Sequence, residues 1–262
     1  MGCILKGSSG LWSRMTVGAV LLAAGSGSRL GNRPKSLLEL GGVSLIMRQL
    51  VALSGAGIDE LVVVLGHHAD AIGQAIQAFP IQVVHNPEMV GPRSRDTTTA
   101  PHGGTRRPSE RPGGRRADDG QASSVRLGLA ALSPRLDAVI IALADQPLIN
   151  AQDITTLISA YKKKPADAAM VVPRVTNAQG VAEPGNPVIF ESALAAQWLS
   201  GQANAACRQW RLAHPERVHW LETDNRRFRT DIDTPEDIAR FSAETGHVLT
   251  WPAAWATADA VA

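Results

Sequence analysis

Short apolar runs rich in β-branched residues alternate with stretches of helical spacing through most of the chain. Runs of this kind are typical of strands buried on both faces of a parallel sheet. The sequence therefore predicts an α/β fold, a three-layer αβα, Rossmann-like arrangement with a mostly parallel central sheet. The predicted strands are 17–22, 61–65, 81–84, 138–143, 168–172, 188–190 and 218–222, and the predicted helices are 44–54, 69–78, 123–132, 151–163, 192–199, 203–213 and 235–242.

The length of 262 residues suits one domain. We place it at 15–248, between an N-terminal extension, 1–14, and a C-terminal tail, 249–262, whose Trp251 and Trp255 would pack on the body or form a dimer contact.

One internal segment, 91–119, has no Val, Ile, Leu, Met or Phe, so it cannot bury a core and is predicted to be disordered or loosely draped. It would be a surface insertion, an arginine-rich arm, or sequence translated from a shifted reading frame.

The formal net charge of +2 arises in segment 91–119, where seven arginines stand against four acidic residues. The sequence shows no basic face with interleaved aromatics, so we expect no nucleic-acid partner. No apolar run approaches the roughly 20 residues of a membrane span, so we expect no membrane association. Cys3 and Cys207 do not make a disulfide framework, which favours the cytoplasm. A signal peptide ending near Ala24 is disfavoured because cleavage there would remove the first strand.

The loop after the first predicted strand reads AAGSGSRLGNRPK. Its glycines miss the G-x-G-x-x-G spacing of dinucleotide-binding folds, and Lys35 follows Pro34 rather than the glycine that a P-loop requires. Gly25 and Gly27 nevertheless let the backbone approach a ligand closely, with N–H groups towards phosphate oxygens. Because Arg29 and Lys35 add positive charge, we expect the loop to hold a triphosphate. The alternative is a glycine-rich surface turn.

Three carboxylates occupy positions that suit a metal site. Asp145, in DAVIIALADQPLI, follows a buried strand, where a carboxylate facing a pocket suits Mg²⁺, while Asn150 is the better cap for the next helix. Asp231 and Asp233 alternate, so both would point to one face and could share the cation. Since Mg²⁺ usually takes one or two protein carboxylates, we expect Asp233 to ligate and Asp231 to support the ligands or face the substrate. An ordinary helix start, capped by Thr234, would also explain this stretch.

Small hydroxyl residues lie in GQASSVRLGL, at the start of a predicted helix. N–H and O–H groups there could bind a base, ribose or phosphate. Taken alone, Ser123 and Ser124 are better explained as helix caps. His67 and His68 lack the spacing of a zinc site and are expected in a loop or at the edge of a pocket.

Combined, these features are what metal-assisted phosphoryl or nucleotidyl transfer requires. The run LAAGSGSRLG, followed by Pro34 and Lys35, resembles the signature loop of nucleotidyltransferases that join an NTP to a phosphate or sugar phosphate. DQPL at 145–148, GNPV at 185–188 and DIDTPED at 231–237 are similar to molybdenum cofactor cytidylyltransferase and the related guanylyltransferase. The similarity runs from about residue 15 to about residue 241, except across the segment 91–119.

The resemblance implies a nucleotidyltransferase fold and a reaction in which a terminal phosphate of molybdopterin attacks the α-phosphorus of an NTP and releases pyrophosphate. The nucleotide-binding residues that it implies are Leu22, Ala23, Ala24, Gly25, Gly27, Arg29, Lys35 and Ser124. The implied catalytic residues are Arg29, Lys35 and Asp145, the implied Mg²⁺ ligands Asp145 and Asp233, and the residues bordering the pterin Gly185, Asn186 and Pro187. Guanylyltransferases of this branch typically have glycine in place of Ala24, so CTP is favoured. A molybdoenzyme or its chaperone would be a further partner.

Alternatives stay open at this point. The pattern SVRLGL also resembles the cytidylyltransferase that acts on methylerythritol phosphate, although DQP stands here where that family has an Asp-x-x-Arg-Pro type sequence. A non-catalytic nucleotide- or cofactor-binding module for a molybdoenzyme would not need the carboxylates. The glycine spacing disfavours an oxidoreductase. The insertion departs from the family pattern between Asn86-Pro87 and Gly120, at the rim of the predicted pocket, and we expect the fold to survive it because loop closure costs little.

Overall fold

The structure, a computed structural model, describes residues 14–89, 113–177, 179–201 and 207–256, with the backbone alone for 113–119. The predicted insertion, up to residue 112, and almost all of the N-terminal extension, including Cys3, lie outside the described residues. No helix in the described part of the chain is long and apolar enough to cross a membrane.

The strands and helices alternate as predicted. The strands are β1 (Val17–Ala23), β2 (Glu39–Leu40), β3 (Val43–Ser44), β4 (Glu60–Leu65), β5 (Gln82–His85), β6 (Ala138–Leu143), β7 (Met170–Thr176), β8 (Ala182–Pro184), β9 (Val188–Glu191), β10 (Val218–Thr223) and β11 (Leu249–Thr250). The helices are α1 (Leu45–Gly55), α2 (Ala69–Ile76), α3 (Gly113–Ala131), α4 (Ala151–Lys163), α5 (Ser192–Leu199), α6 (Cys207–Ala213), α7 (Pro235–Thr245) and α8 (Ala253–Ala256).

The central sheet has the strand order β10–β7–β9–β6–β1–β4–β5, with β8 paired to β7. β1 pairs in parallel with both β4 and β6, β4 with β5, and β10 with β7. β9 runs antiparallel to β6 and β7. The prediction of a mostly parallel sheet is confirmed, and the carboxyl ends of β1, β4, β5 and β6 meet at one edge, where ligands of such sheets bind.

Side chains alternate between the two faces of the sheet, and each face is covered by helices. In β1, Ala19 and Leu21 join a cluster built with α1, α2 and α4, whereas Val20 joins a second cluster built with α3, α5 and α6. This alternation follows from the two-residue period of a strand. The predicted three-layer αβα arrangement is therefore confirmed.

A third, smaller cluster lies beside the main sheet. β2, β3 and β11 form a three-stranded sheet, and its leucines pack with Ile232 and Phe241 of the segment around α7. β11 belongs to the predicted tail, so this part of the tail packs on the body of the protein. Strands of two residues were not predicted because they lack a hydrophobic period of their own and form through pairing with distant segments.

The largest difference between prediction and structure concerns α3. It begins at Gly113, inside the segment predicted as loose, and not at residue 123. Ser123 and Ser124 therefore lie within the helix, and the prediction that their N–H groups stand at a helix start is wrong. The predicted caps of α4 and α7 are confirmed: Asn150 and Thr234 each form a capping box with the acidic residue three positions on.

Candidate functional site

The glycine loop between β1 and β2 folds back on itself. Gly27 and Gly31 have φ angles of 63° and 69°, in the left-handed region that favours glycine. The Gly27 carbonyl accepts hydrogen bonds from the N–H groups of Leu30 (2.8 Å) and Asn32 (3.0 Å). A Cβ atom on Gly27 would lie 1.9 Å from the carbonyl oxygen of Arg33. The tight course of this loop therefore requires glycine at position 27.

Lys35 is the centre of an ion cluster at the carboxyl edge of the sheet. Its Nζ contacts Oδ2 of Asp145 and lies 2.6 Å from Oδ1 of Asp233. The Nη2 of Arg29 lies 3.2 Å from Oδ2 of Asp233. The fold thus joins four of the predicted site residues, which come from three distant parts of the sequence. We call Arg29, Lys35, Asp145 and Asp233 the ion cluster.

Backbone contacts hold the two carboxylates of the ion cluster together. Asp145 follows β6 closely, and its carbonyl accepts a hydrogen bond from the N–H of Ile232 (3.1 Å). Ile232 is buried in the third cluster, which anchors this segment. Asp233 precedes the cap of α7, and its N–H donates to Oδ2 of Asp237 (3.0 Å). Both carboxylates are therefore placed by the main chain and not only by their bonds to Lys35.

The electrostatics of the ion cluster concern the charge of Lys35 and one unpartnered oxygen of Asp145. Burial lowers the pKa of the Lys35 amine, but the nearby charges of Asp145 and Asp233 raise it by more, so that the pKa lies above its ordinary value. Lys35 is therefore protonated at neutral pH. Among the described residues, Oδ1 of Asp145 is buried and has no hydrogen-bond partner. A buried carboxylate oxygen without a partner is costly for stability, and a bound ligand or cation would satisfy it.

The two carboxylates fit a hard divalent cation. Oxygen ligands suit Mg²⁺ and Mn²⁺, and Mg²⁺ typically takes one or two carboxylates and completes its shell with water and substrate phosphates. Within the ranges that the structure describes, no cluster of three or more His, Cys, Asp or Glu side chains is arranged as a metal site. As a pair of carboxylates, Asp145 and Asp233 match the number of protein ligands that Mg²⁺ usually takes.

Asp231 takes a position different from that of Asp233. It lines a groove of about 440 Å³ formed by β7, β8, the 3-10 helix Arg226–Arg229 and α7. Desolvation, followed by the charges of Asp145 and Asp233, raises the pKa of Asp231 above its ordinary value. No ion pair joins Asp231 to Lys35 in the described part of the chain. Asp231 therefore lies between the ion cluster and the groove.

The loop containing Gly185, Asn186 and Pro187 is tied to the residue that follows Asp145. Nε2 of Gln146 donates to the carbonyls of Asn186 (3.2 Å) and Phe228 (3.3 Å). The Asn186 N–H also donates to the Phe228 carbonyl (2.8 Å). A Cβ on Gly185 would lie 2.5 Å from that same oxygen, so glycine is required there. The sequence pattern did not indicate these long-range contacts of Gln146, since they depend on the assembled sheet.

Ser124 belongs to a buried hydrogen-bond network, which we call the serine network: Asn86, Gly120, Ser123 and Ser124. Nδ2 of Asn86 donates to the hydroxyls of Ser123 and Ser124, each at 2.8 Å. Both hydroxyls donate to the Gly120 carbonyl, at 3.1 and 3.0 Å. Ser124 is only 2% exposed. Its predicted role beside the nucleoside stays a prediction, while Asn86 is a residue that sequence reasoning left without a role.

The ends of three strands pack closely beside the glycine loop. A Cβ on Gly66, after β4, would lie 2.8 Å from the carbonyl oxygen of Ala24 and 2.6 Å from Cβ of Met89. A Cβ on Gly120 would lie 2.5 Å from Sδ of Met89. Ala24, after β1, and Gly120 of the serine network are thus linked through Gly66 and Met89. Small residues at these positions allow the predicted nucleotide-binding segments to approach each other.

The C-terminal tail contacts the glycine loop. The Trp251 ring lies 4.2 Å from the guanidinium carbon of Arg33. Trp255 packs edge-on against His68, with 5.5 Å between ring centroids, and Nε2 of His68 lies 3.2 Å from the Ser26 carbonyl oxygen. These contacts place His68 beside the glycine loop, while its expected place at the edge of a pocket stays a prediction. This part of the tail supports the loop from outside.

Comparison with known proteins identifies the family. The profile of the MobA-like NTP transferase domain matches residues 19–94 and 106–218. The chain belongs to the MobA-like NTP transferase family. The matched residues include Arg29, Lys35, Asp145 and the loop at 185–187, whereas Asp233 lies beyond them. The unmatched gap, 95–105, falls within the segment that the sequence analysis had set apart.

Individual relatives of this MobA-like protein carry different names. It is 26% identical to nicotine blue oxidoreductase of Paenarthrobacter nicotinovorans over 227 residues, which are 86% of this chain and 95% of the relative. It is 31% identical to 2-C-methyl-D-erythritol 4-phosphate cytidylyltransferase of Streptomyces coelicolor over 176 residues, 64% of this chain and 56% of the relative. Family membership and the site together identify a nucleotidyltransferase.

Solved structures share the fold. Rv0371c from Mycobacterium tuberculosis superposes with a TM-score of 0.62 at 24% identity, covering 87% of this chain and 97% of that one. A nucleotidyl transferase from Methanothermobacter thermautotroptrophicus gives a TM-score of 0.60 at 23% identity, with the same coverage. Rv0371c has also been solved as a complex with manganese.

Proposed function

We propose that this MobA-like nucleotidyltransferase joins CTP to a molybdopterin-type acceptor, with Mg²⁺ as its cation, in the cytoplasm. An oxygen of the acceptor's terminal phosphate attacks the α-phosphorus of CTP. The bond between the α-phosphorus and the bridging oxygen to the β-phosphate breaks, and pyrophosphate leaves with that oxygen. The observation that carries the proposal is the ion cluster, in which Lys35 joins Asp145 and Asp233 beside a closed glycine loop.

The cations of the ion cluster would neutralise the triphosphate. Arg29, whose side chain is 64% exposed, can turn from Asp233 towards a ligand without losing buried contacts. Lys35 is charged and lies close to Gly25, since a Cβ there would be 3.8 Å from Cε of the lysine. Both side chains would stabilise the charge that develops on the departing pyrophosphate.

Asp145 and Asp233 would hold Mg²⁺, which when bound supplies charge neutralisation at the reacting phosphates. The unpartnered Oδ1 of Asp145 supports this assignment. The main-chain contacts of both residues would keep the carboxylates in place when Lys35 turns to the nucleotide. In phosphoryl transfer the protein contributes mainly by positioning the reactants and by neutralising the charge of the phosphates.

The acceptor would lie along the groove beside Asp231. The groove is lined by the segment around Phe228, whose carbonyl also anchors the loop with Gly185, Asn186 and Pro187. Arg229, at 2.8 Å from Glu183, and Asp231 give the groove both signs of charge. A polar, heterocyclic acceptor with one phosphate suits such a lining, because its phosphate can face the ion cluster and its ring the groove. A molybdoenzyme or its chaperone would receive the product.

The experiment that tests the proposal measures pyrophosphate release by the purified protein with Mg²⁺ and molybdenum-loaded molybdopterin. CTP, GTP, ATP and UTP are offered separately. Release with CTP, and much less with the other three, is the expected result. If CTP releases pyrophosphate with methylerythritol phosphate but not with molybdopterin, the acceptor is instead the one named in the Streptomyces relative.

The oxidoreductase relative supplies a second candidate function. Because it matches over 95% of its own length, oxidation or reduction of an aromatic heterocycle with NAD(P)H deserves a direct assay. A loss of absorbance at 340 nm on adding such an acceptor and NAD(P)H, without pyrophosphate release from any NTP, would favour this candidate. The broken dinucleotide fingerprint in the glycine loop is the reason that we rank it second.

A further inference from the structure

The ion cluster leaves little room for a metal ion while Lys35 is in place. Of the four carboxylate oxygens of Asp145 and Asp233, Lys35 contacts two and Arg29 contacts a third. The fourth, Oδ1 of Asp145, is buried. A cation bound by both residues needs an oxygen from each, and Lys35 lies directly between them. Lys35 and a divalent cation would therefore compete for the same oxygens.

We propose that Lys35 is a built-in substitute cation that keeps the metal site closed until a nucleotide triphosphate draws its ammonium away. The proposal rests on the proposed function, because it needs the carboxylates as metal ligands and the glycine loop as the triphosphate site. It adds a preferred order to binding: the divalent cation binds weakly by itself and tightly once the nucleotide has bound.

The surroundings of Lys35 explain why its ammonium can contact either the two carboxylates or the phosphates of a nucleotide. Its side chain is only 22% exposed, so the ammonium is held near the carboxylates by burial as well as by charge. Gly25 of the phosphate loop lies against its Cε. A short rotation of the side chain would therefore exchange carboxylate for phosphate oxygens. Arg29 cannot play the same part, because among the described residues it pairs with Asp233 and not with Asp145, and its side chain is mostly exposed.

The exchange makes metal and nucleotide binding cooperative. With Lys35 in place, the lysine and two carboxylates carry a net charge of −1, and without it the pair carries −2. A divalent cation is bound more tightly by the second arrangement. By linkage, a nucleotide that removes Lys35 strengthens metal binding, and the metal strengthens nucleotide binding by the same factor.

The test measures Mn²⁺ binding from the electron paramagnetic resonance signal of free MnCl2, with and without α,β-methylene-CTP. The expected result is that Lys35→Met binds Mn²⁺ in the absence of nucleotide at least about tenfold more tightly than the wild-type protein, as the loss of one charge from the site predicts. Lys35→Arg, which keeps a cation, is the matched control and should bind Mn²⁺ as weakly as the wild type. The analogue should tighten Mn²⁺ binding less in Lys35→Met than in the wild type.

Equal nucleotide-free affinities of Lys35→Met and the wild type, within twofold, would overturn the proposal. Asp145→Asn separates this failure from failure of the proposed function. If Asp145→Asn binds Mn²⁺ with the analogue as well as the wild type does, the carboxylate site itself is wrong. If it does not, the site stands and only the substitute cation fails. The double variant Lys35→Met/Asp145→Asn should lose the gain in Mn²⁺ affinity that Lys35→Met shows without nucleotide.

Loss of Lys35 leaves two carboxylates facing each other, so folding of each variant is checked by circular dichroism. Lys35→Gln, which is neutral but keeps hydrogen-bonding capacity, provides the same comparison if Lys35→Met does not fold. The wild-type protein offers an independent measurement, the reactivity of Lys35 towards an amine-acylating reagent read by peptide mass spectrometry. Saturating MnCl2 should increase this reactivity severalfold, and protection of Lys35 by MnCl2 would contradict the proposal.

Discussion

The ion cluster and the serine network lie at the same edge of the sheet, yet they are built differently. The ion cluster consists of charged, partly exposed side chains, one oxygen of which lacks a partner. In the serine network, by contrast, Asn86 and both serine hydroxyls are buried and hydrogen-bonded. The first arrangement suits exchange of partners with a charged ligand. The second suits a fixed backbone, because buried polar groups that are satisfied internally have little to gain from a ligand.

The largest effect is expected at the ion cluster. Asp145→Asn removes one charge and should lower kcat for pyrophosphate release by about 10²–10³, the usual scale for removing one electrostatic stabiliser. Asp167→Asn, at an exposed loop position outside the site, is the matched control and should retain wild-type activity. Steady-state kinetics with CTP provide the measurement. Comparable activities of the two variants would exclude Asp145 from the reaction.

The next effect is expected in the glycine loop, which carries Arg29 and Lys35 of the ion cluster. Gly27→Ala places a side chain at φ 63° and against the Arg33 carbonyl, so we expect a loss of about 1–3 kcal/mol in the free energy of unfolding and a raised KM for CTP. Gly41→Ala has a similar φ of 64° with nothing within 4 Å of the new Cβ. Urea unfolding compares the two. Equal losses would show that the close approach to Arg33 is unimportant.

Asn86→Ala tests the serine network as a structural unit. It leaves two hydroxyls without their donor and the Glu88 N–H without the Asn86 Oδ1 acceptor, at 3.0 Å. We expect a loss of about 1–3 kcal/mol in the free energy of unfolding. Well below the melting temperature, kcat should stay close to that of the wild type. A large fall in kcat with unchanged stability would mean that Asn86 contacts substrate.

The smallest effect, and the sharpest comparison, comes from the two serines. Ser123→Ala and Ser124→Ala remove hydroxyls with the same two partners, so each should lose about 0.5–1.5 kcal/mol in the free energy of unfolding. The structure leads us to expect KM for CTP within twofold of the wild type in both. A rise in KM confined to Ser124→Ala would show that the Ser124 hydroxyl binds the nucleoside, as the family resemblance implies.

Much of the fold followed from local pattern. The bounds of β6, α4 and α5 agree with the predicted ranges, because their apolar period or caps are encoded within the element itself. β2, β3 and β11 could not be predicted, because each has two residues and depends on partners far away in the chain.

The ion cluster and the serine network could be predicted from the sequence to different extents. The glycine loop indicated Lys35, the end of a buried strand indicated Asp145, and the alternation of Asp231 with Asp233 indicated Asp233, each of them individually. The position of Lys35 between two carboxylates, 110 and 198 residues away, depends on side-chain packing across three segments. The inward direction of Ser124 likewise depends on Asn86, which a helix-start pattern does not include.

The most direct test of the account follows the α-phosphate of CTP. The protein is given CTP labelled with ³²P at the α-position, Mg²⁺ and molybdenum-loaded molybdopterin, and the products are separated. Nucleotidyl transfer predicts that the label moves into the acceptor product while unlabelled pyrophosphate is released. Label that stays in CTP, or appears only in free CMP, would contradict the claim that the ion cluster transfers a nucleotidyl group to this acceptor.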